Sequence, residues 1–443
     1  MSLVPNPMTG IKISVERLQV GNYVSLPLGW REHPFLFSSF KLKSEEEIEL
    51  IRRLGLKLVT IIPDKSDTPP KPLGQTQSQA DEVEGEGLVA RQEEMQQEKL
   101  RRIEQLQRYR RDLQQCEKQF RQSLAQVRNL MGKIQSRPLN AISEAQELIN
   151  AMTEQLLSVD EMVLHLVSDS DDGNSLQFHS LNVSVLSMLL ARECKLPAEA
   201  IRQVGMGALF HDIGKLRIPS QILRKTEPLT KPEQNLMAQH PRYGLELLGL
   251  VSDFPEAAKQ IVQNHHEYLD GTGPQGLKGD QLDPLTQIVS LINEYDNLCH
   301  LEAKVPYAAL GSLYKQRKSQ FNADHLGMLI RLMGVYPPGS VVQLSNGQVG
   351  LVMSVNASRL LYPAVLVYDP RIPRQEAAII DLDAAGLTIA KVIQPKTPAP
   401  GGVRIPQPPH PDQLLLRTRQ ALRGLAPPKE SPCASRSSAQ ATR

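Results

Sequence analysis

Five of the chain's ten histidines fall in one ordered series between residues 179 and 266, and an aspartate adjoins the second of them. His179 lies in FHSLNVSVLSMLLA, His211 and Asp212 in ALFHDIGK, His240 in AQHPRYG, and His265 and His266 in VQNHHEYLDGTG. One histidine at an apolar helix end is an ordinary core residue. Five of them, each near a helix end or a Gly/Pro turn, make a ligand set. Imidazole suits borderline first-row metals, and a carboxylate between imidazoles can bridge two ions. Two ions about 3.5–4 Å apart form the clamp of phosphoester hydrolysis, activating a water and steadying the phosphate oxygens. Asp212 is the natural bridge, with His179 and His211 on one ion and His240, His265 and His266 on the other. Neighbours on a regular helix diverge by about 100°, so His265 and His266 serve one site only where the helix ends. The Gly271-Thr272-Gly273-Pro274 turn downstream supplies such an ending. Lys215, three positions after Asp212, brings an ammonium to the same side, where it can hold a phosphate as a point charge.

The elements that must position these residues are helices. Helical periodicity dominates residues 140 to 335. Upstream, residues 10 to 65 read as a small α+β unit, with alternating Ile11, Ile13 and Val15, a Ser44/Glu47 capping box ahead of Ile48, and an apolar strand ending at Pro63. Trp30, beside Phe35 and Phe37, reads as the anchor of an aromatic minicore. Residues 66 to 87 have linker composition. Residues 88 to 135 form a long amphipathic helix, with Leu113, Cys116, Phe120, Leu124, Val127, Met131 and Ile134 in three- and four-residue steps. Such a helix either pairs with a second copy, giving a homodimer, or packs back on its own domain. Residues 336 to 394 form a β-rich module around an Asn346-Gly347 hairpin. Residues 395 to 443, rich in Pro, Ser, Gln and Arg, are expected to be disordered. The fold class is mainly α: a helical core between a small α+β domain with its long helix and a small β-rich module.

Composition narrows the function. A chain of 443 residues with 50 basic and 48 acidic side chains carries a net charge of +2, without the basic excess of a nucleic-acid binder. Cys116, Cys194, Cys299 and Cys433 form no C-x-x-C pair. No stretch approaches the roughly 20 apolar residues of a membrane span, and the N-terminus lacks a signal-peptide pattern. A cytoplasmic protein without membrane or nucleic-acid partners is expected. His165, His300 and His325 lie outside the series and read as structural. Arg224 and Lys225 read as a solvated turn. Glu267 is either a partner orienting a ligating imidazole or a surface glutamate.

The motif series resembles the HD superfamily of metal-dependent phosphohydrolases, and more narrowly the HD-GYP family of cyclic-di-GMP phosphodiesterases, over roughly residues 170 to 335. The motifs are His179, the run from His211 to Lys215, the KTEPLTKPE loop at 225–233, His240-Pro241, His265-His266-Glu267 and Asp270-Gly271-Thr272-Gly273-Pro274. The first segment, through Val20 to Val24 and Pro34-Phe35, resembles a small domain found ahead of HD-GYP domains. The resemblance implies an all-helical core and hydrolysis of the 3′,5′-phosphodiester of cyclic di-GMP in bacterial signalling. It implies two divalent first-row ions, iron or else manganese. It places Lys215, Gly271, Gly273 and Pro274 against substrate, and that loop against protein partners. The sequence departs from the family at four points. Gly-Tyr-Pro is shortened to Gly273-Pro274. Asn293 takes the position of the last metal-ligating aspartate, with Asp296 one turn on as a stand-in. Ser175 replaces the glutamate of a third metal, and the family's later arginine has only Lys304 as a counterpart. Two alternatives to that enzyme are a catalytically impaired receptor or partner-binding protein, and a hydrolase of another nucleotide.

Overall fold

The computed structural model describes residues 10–29, 32–35, 38–72, 85–158, 162–166, 176–225, 227–300, 305–356, 360–368, 379–383, 385–393 and 414–418. In chain order the elements are β1 (Ile11–Ser14), β2 (Tyr23–Ser25), β3 (Ser39–Lys41), α1 (Glu45–Arg53), β4 (Leu58–Ile61), α2 (Gly85–Lys133), α3 (Pro138–Leu157), β5 (Met162–Leu166), α4 (Leu176–Glu193) and α5 (Ala198–Phe210). Then come α6 (Ser220–Leu223), α7 (Lys231–Met237), α8 (His240–Leu248), α9 (Glu256–Asn264), α10 (Pro284–His300), α11 (Pro306–Gln316) and α12 (Ala323–Met333). The last strands are β6 (Val341–Leu344), β7 (Val349–Asn356), β8 (Ala364–Tyr368), β9 (Ile379–Asp381), β10 (Ile389–Val392) and β11 (Leu414–Thr418). Two compact units result, one of residues 1–111, 341–351 and 364–393, the other of residues 112–340, 352–363 and 394–443. The protein is mainly α, with small sheets toward both ends. No helix among the described residues is long and apolar enough to cross a membrane.

In the first unit, β1, β4, β2 and β3 form an antiparallel sheet in that order, against which α1 packs Ile48 and Ile51. Ser44 caps α1 by accepting the Glu47 N–H, while the Glu47 carboxylate takes the Lys43 N–H at 2.6 Å, satisfying two otherwise orphaned donors. Phe35 is buried and stacks on Phe40 with ring centroids 4.5 Å apart; Trp30 and Phe37 lie outside the described residues. The Asn346-Gly347 turn closes the β6–β7 hairpin, with the Leu344 N–H donating to the Gln348 carbonyl at 2.8 Å.

In the second unit, α4 is the central helix. Its run from Leu181 to Ala191 is buried almost all round, as a helix enclosed by neighbours must be, and it packs against α5, α10, α3 and α12. The C-terminal part of α2 joins this core through Phe120, Leu124, Val127, Met131 and Ile134. Those five positions of the predicted stripe are thus satisfied within the chain, while the side chains of Leu113 and Cys116 lie outside the described residues. Two strands differ from the expected organisation. The helical core contains β5, a five-residue run too short for periodicity to reveal. The expected disordered tail holds β11, which pairs antiparallel with β5; its apolar LLLRT run departs from the surrounding Pro- and Ser-rich composition. The rest of 395–443 lies outside the described residues.

Candidate metal centre

Each histidine of the series sits where a helix begins or ends. His179 is in the first turn of α4, His211 follows α5 as its C-cap, His240 opens α8, and His265 is the C-cap of α9 with His266 just beyond. The regular helix ends at Asn264, so both vicinal rings turn toward one place. Asp212 and Lys215 lie at the 3₁₀ turn Ile213–Arg217 that follows α5. This turn approaches α8 closely because residue 214 has no side chain: a Cβ on Gly214 would stand 1.9 Å from the His240 carbonyl oxygen.

Asp212 is buried at the centre. Its Oδ2 is 3.5 Å from Nε2 of both His179 and His211, and its Oδ1 is 3.2 Å from His240 Nε2 and 3.7 Å from His265 Nε2. One carboxylate therefore faces two groups of imidazoles, His179 with His211, and His240 with His265 and His266, each group holding its ligand atoms within 4.8 Å of one another. The Lys215 ammonium lies 2.5 Å from Asp212 Oδ2 and remains partly exposed.

The imidazole orientation shows what this centre is built to hold. Nδ1 of His211, His240 and His265 meets the carbonyl three residues earlier, at Ala208, Met237 and Val262, at 2.6, 2.7 and 2.9 Å. A carbonyl only accepts, so each Nδ1 carries the proton and each Nε2 presents a bare lone pair inward. These lone pairs are crowded: His240 Nε2 is 3.1 Å from His265 Nε2 and 3.3 Å from His266 Nε2, and His179 Nε2 is 3.1 Å from His211 Nε2. Burial pushes the His211 imidazole down to about 3 and His266 to about 4, and holds His265 well below its ordinary value. At neutral pH His211, His265 and His266 therefore bring no second proton to these contacts. Burial alone would raise the Asp212 carboxyl, but the Lys215 ammonium against it leads the neighbouring groups that outweigh burial and hold it well below the usual carboxylate range. Its buried Oδ1 meets no hydrogen-bond donor among the described residues. An ionised carboxylate oxygen without a donor, among unprotonated nitrogens, fits divalent cations.

Helix α10 supplies the remaining groups. Asn293 is buried, and its Oδ1 accepts from Asn297 Nδ2 at 3.2 Å. Asp296 reaches the series from α10: its Oδ2 is 2.5 Å from His179 Nδ1, and its Oδ1 accepts from Asn182 Nδ2. It thus meets the outer edge of the ring whose Nε2 faces Asp212. Asn182 was not anticipated, although its place one turn after His179 on α4 was readable. Ser175 and Lys304 lie outside the described residues. His325 lies in α12, apart from the series, and the side chains of His165 and His300 are outside the described set.

Glu267 has a third role besides the two expected. It is buried, Oε1 accepting the Gln275 N–H at 2.7 Å and Oε2 the Leu277 N–H at 3.1 Å. It therefore anchors the loop holding Gly271, Gly273 and Pro274 to the segment bearing His265 and His266. A Cβ on Gly273 would stand 2.6 Å from Glu267 Cα and Oε2, so only glycine lets the loop lie this close. Gln275 adds a second tie, donating from Nε2 to Asn264 Oδ1 at 2.8 Å.

Two family models match the chain. The one described as HD domain covers residues 139–324, and the one described as domain of unknown function DUF3391 covers residues 10–145. The chain is 29% identical over 255 residues to a Pseudomonas aeruginosa protein named cyclic di-GMP phosphodiesterase PA4108, covering 56% of this chain and 61% of that protein. It is 31% identical over 215 residues to the Xanthomonas campestris protein named cyclic di-GMP phosphodiesterase response regulator RpfG, covering 47% of this chain and 56% of that one. A Vibrio cholerae protein named 3′3′-cGAMP-specific phosphodiesterase 3 is 35% identical over 132 residues, covering 30% of this chain and 28% of that protein. The chain thus spans 61% of the length of the Pseudomonas relative and 56% of the Xanthomonas one.

Proposed function

Since residues 139–324 are an HD domain, we propose that the protein is a metal-dependent phosphodiesterase that hydrolyses the 3′,5′-phosphodiester of cyclic di-GMP in bacterial second-messenger signalling. One observation carries this reading: a buried, ionised Asp212 lies between two groups of inward-facing imidazole nitrogens, with Lys215 against it. The names of the Pseudomonas and Xanthomonas relatives support the substrate.

His179, His211 and Asp212 would hold a first divalent ion, with Asn293 as a neutral fourth ligand. Asp212, His240, His265 and His266 would hold a second. Iron is the metal proposed, with manganese able to replace it. When bound, the ions supply Lewis-acid polarisation of the phosphoryl group and a lowered pKa for water. The protein's part is electrostatic and geometric. Burial keeps His211, His265 and His266 unprotonated, so they stay available as ligands throughout the neutral range. Lys215 presents a point charge beside Asp212, placed to hold a non-bridging phosphate oxygen as charge develops. The loop carrying Gly271, Gly273 and Pro274, fixed by Glu267, offers close backbone approach to the nucleotide. In the net reaction, water adds to phosphorus, one P–O ester bond breaks, and the departing oxygen takes a proton.

Turnover of cyclic di-GMP by wild type, Lys215→Ala and His211→Ala, with 3′3′-cGAMP as a second substrate, tests this. Activity on cyclic di-GMP that collapses in both variants supports it; preference for 3′3′-cGAMP moves the substrate to another cyclic dinucleotide. A second reading, a receptor that binds the nucleotide or a partner protein without cleaving, is favoured by the neutral Asn293 and the shortened loop. Tight binding with no turnover by metal-loaded wild type would select it.

A further inference from the structure

His179 is oriented differently from His211, His240 and His265. Those three lie at helix termini, where a carbonyl three residues back is available to take the Nδ1 proton. His179 lies inside the first turn of α4, and its Nδ1 finds a carboxylate from a helix 117 residues away, Asp296 at 2.5 Å. Asp296 is itself gripped from α4, since Asn182, one turn after His179, donates to its other oxygen. Asp296 and Asn182 are 1% and 3% exposed, so the arrangement sits away from bulk water.

The two proposed subsites also differ in donors. The second has three imidazoles and a share of Asp212; the first has two imidazoles and the same share, with uncharged Asn293 at the position that the resembled family fills with its last metal-ligating aspartate. A carboxylate hydrogen-bonded to the outer nitrogen of a ligating imidazole fixes the ring and makes its inner nitrogen a stronger donor. We infer that Asp296, held by Asn182, is the positioning residue of the first subsite, aiming His179 Nε2 at Asp212 and supplying through that ring the negative charge that Asn293 lacks. This rests on the two-ion reading above and names the device that makes its weaker half bind.

The test is metal binding by the full chain, measured by competition with a chelator and by manganese EPR, with circular dichroism to verify folding. Asp296→Asn is expected to leave one ion at wild-type affinity and to weaken the other by about 10- to 100-fold. Asn182→Ala, which removes only the grip on Asp296, is expected to weaken the same ion by a smaller factor, and provides the answer if the first variant does not fold. Adding Asn293→Asp to Asp296→Asn is expected to restore the weakened ion, which a merely structural role for Asp296 would not allow. Unchanged affinity for both ions in folded Asp296→Asn, or equal loss of both, overturns the inference. Wild-type protein that binds two ions yet hydrolyses no cyclic dinucleotide would overturn the proposed activity and leave this inference standing; fewer than two ions in wild type overturns both.

Discussion

At the scale of single residues, the proposed centre gives Asp212 and Lys215 different parts. Asp212 faces both imidazole groups with its two oxygens, so Asp212→Ala is expected to lose both ions, as read by elemental analysis of the purified protein. Lys215 touches Asp212 but belongs to neither ligand group. Lys215→Ala should keep two ions and lose about 100-fold or more in kcat, the usual cost of removing one preorganised charge from a transition state. Loss of the ions with Lys215 would show instead that its ammonium is needed to keep the carboxylate in place. The grouping of these residues was legible in the sequence, because it lies in residue types and short spacings, His211 beside Asp212 and Lys215 one turn on. The contact between Asp296 and His179 was not. It joins α4 to α10 across 117 residues, a distance over which spacing says nothing. Glu267 was read as touching imidazole or solvent, because a loop folding back onto it leaves no local pattern.

Among the elements, close approach decides the geometry. The turn at 213–217 meets the start of α8 through Gly214, and this contact sets the separation between Asp212 and His240. Gly214→Ala must push the two apart; it is expected to destabilise by about 1–3 kcal/mol or more through overpacking and to weaken the second ion. Urea denaturation alongside metal titration reads both effects. The anchored loop makes a contrasting prediction. Glu267→Gln replaces one of two backbone acceptors with an amide that cannot accept at both positions, so KM for the nucleotide should rise while metal content stays at two. The helical character of residues 140–335, the capping of α1 by Ser44 and the Asn346-Gly347 hairpin were all readable from local signals. Strands β5 and β11 were hidden because each is a five-residue apolar run whose pairing partner lies far along the chain.

For the whole molecule, the buried imidazoles link folding to pH. His211 is depressed to about 3, His266 to about 4 and His265 well below its ordinary value, all first by burial. In the unfolded chain these groups titrate near 6.5. Below that pH the unfolded state takes up protons the folded state refuses, so stability is full above about 6.5 and falls progressively toward pH 4 and 3. Chelator-treated protein should therefore show a declining urea midpoint from pH 7.5 to 4.5; a flat or rising midpoint would contradict the assignment of neutral, buried rings. The centre itself is tested most directly by counting ions per chain in anaerobically purified protein and assaying cyclic-di-GMP hydrolysis on the same sample. Two ions per chain, with hydrolysis that disappears in His211→Ala, is the predicted result. One ion or none, with no hydrolysis after reconstitution with iron or manganese, would contradict it.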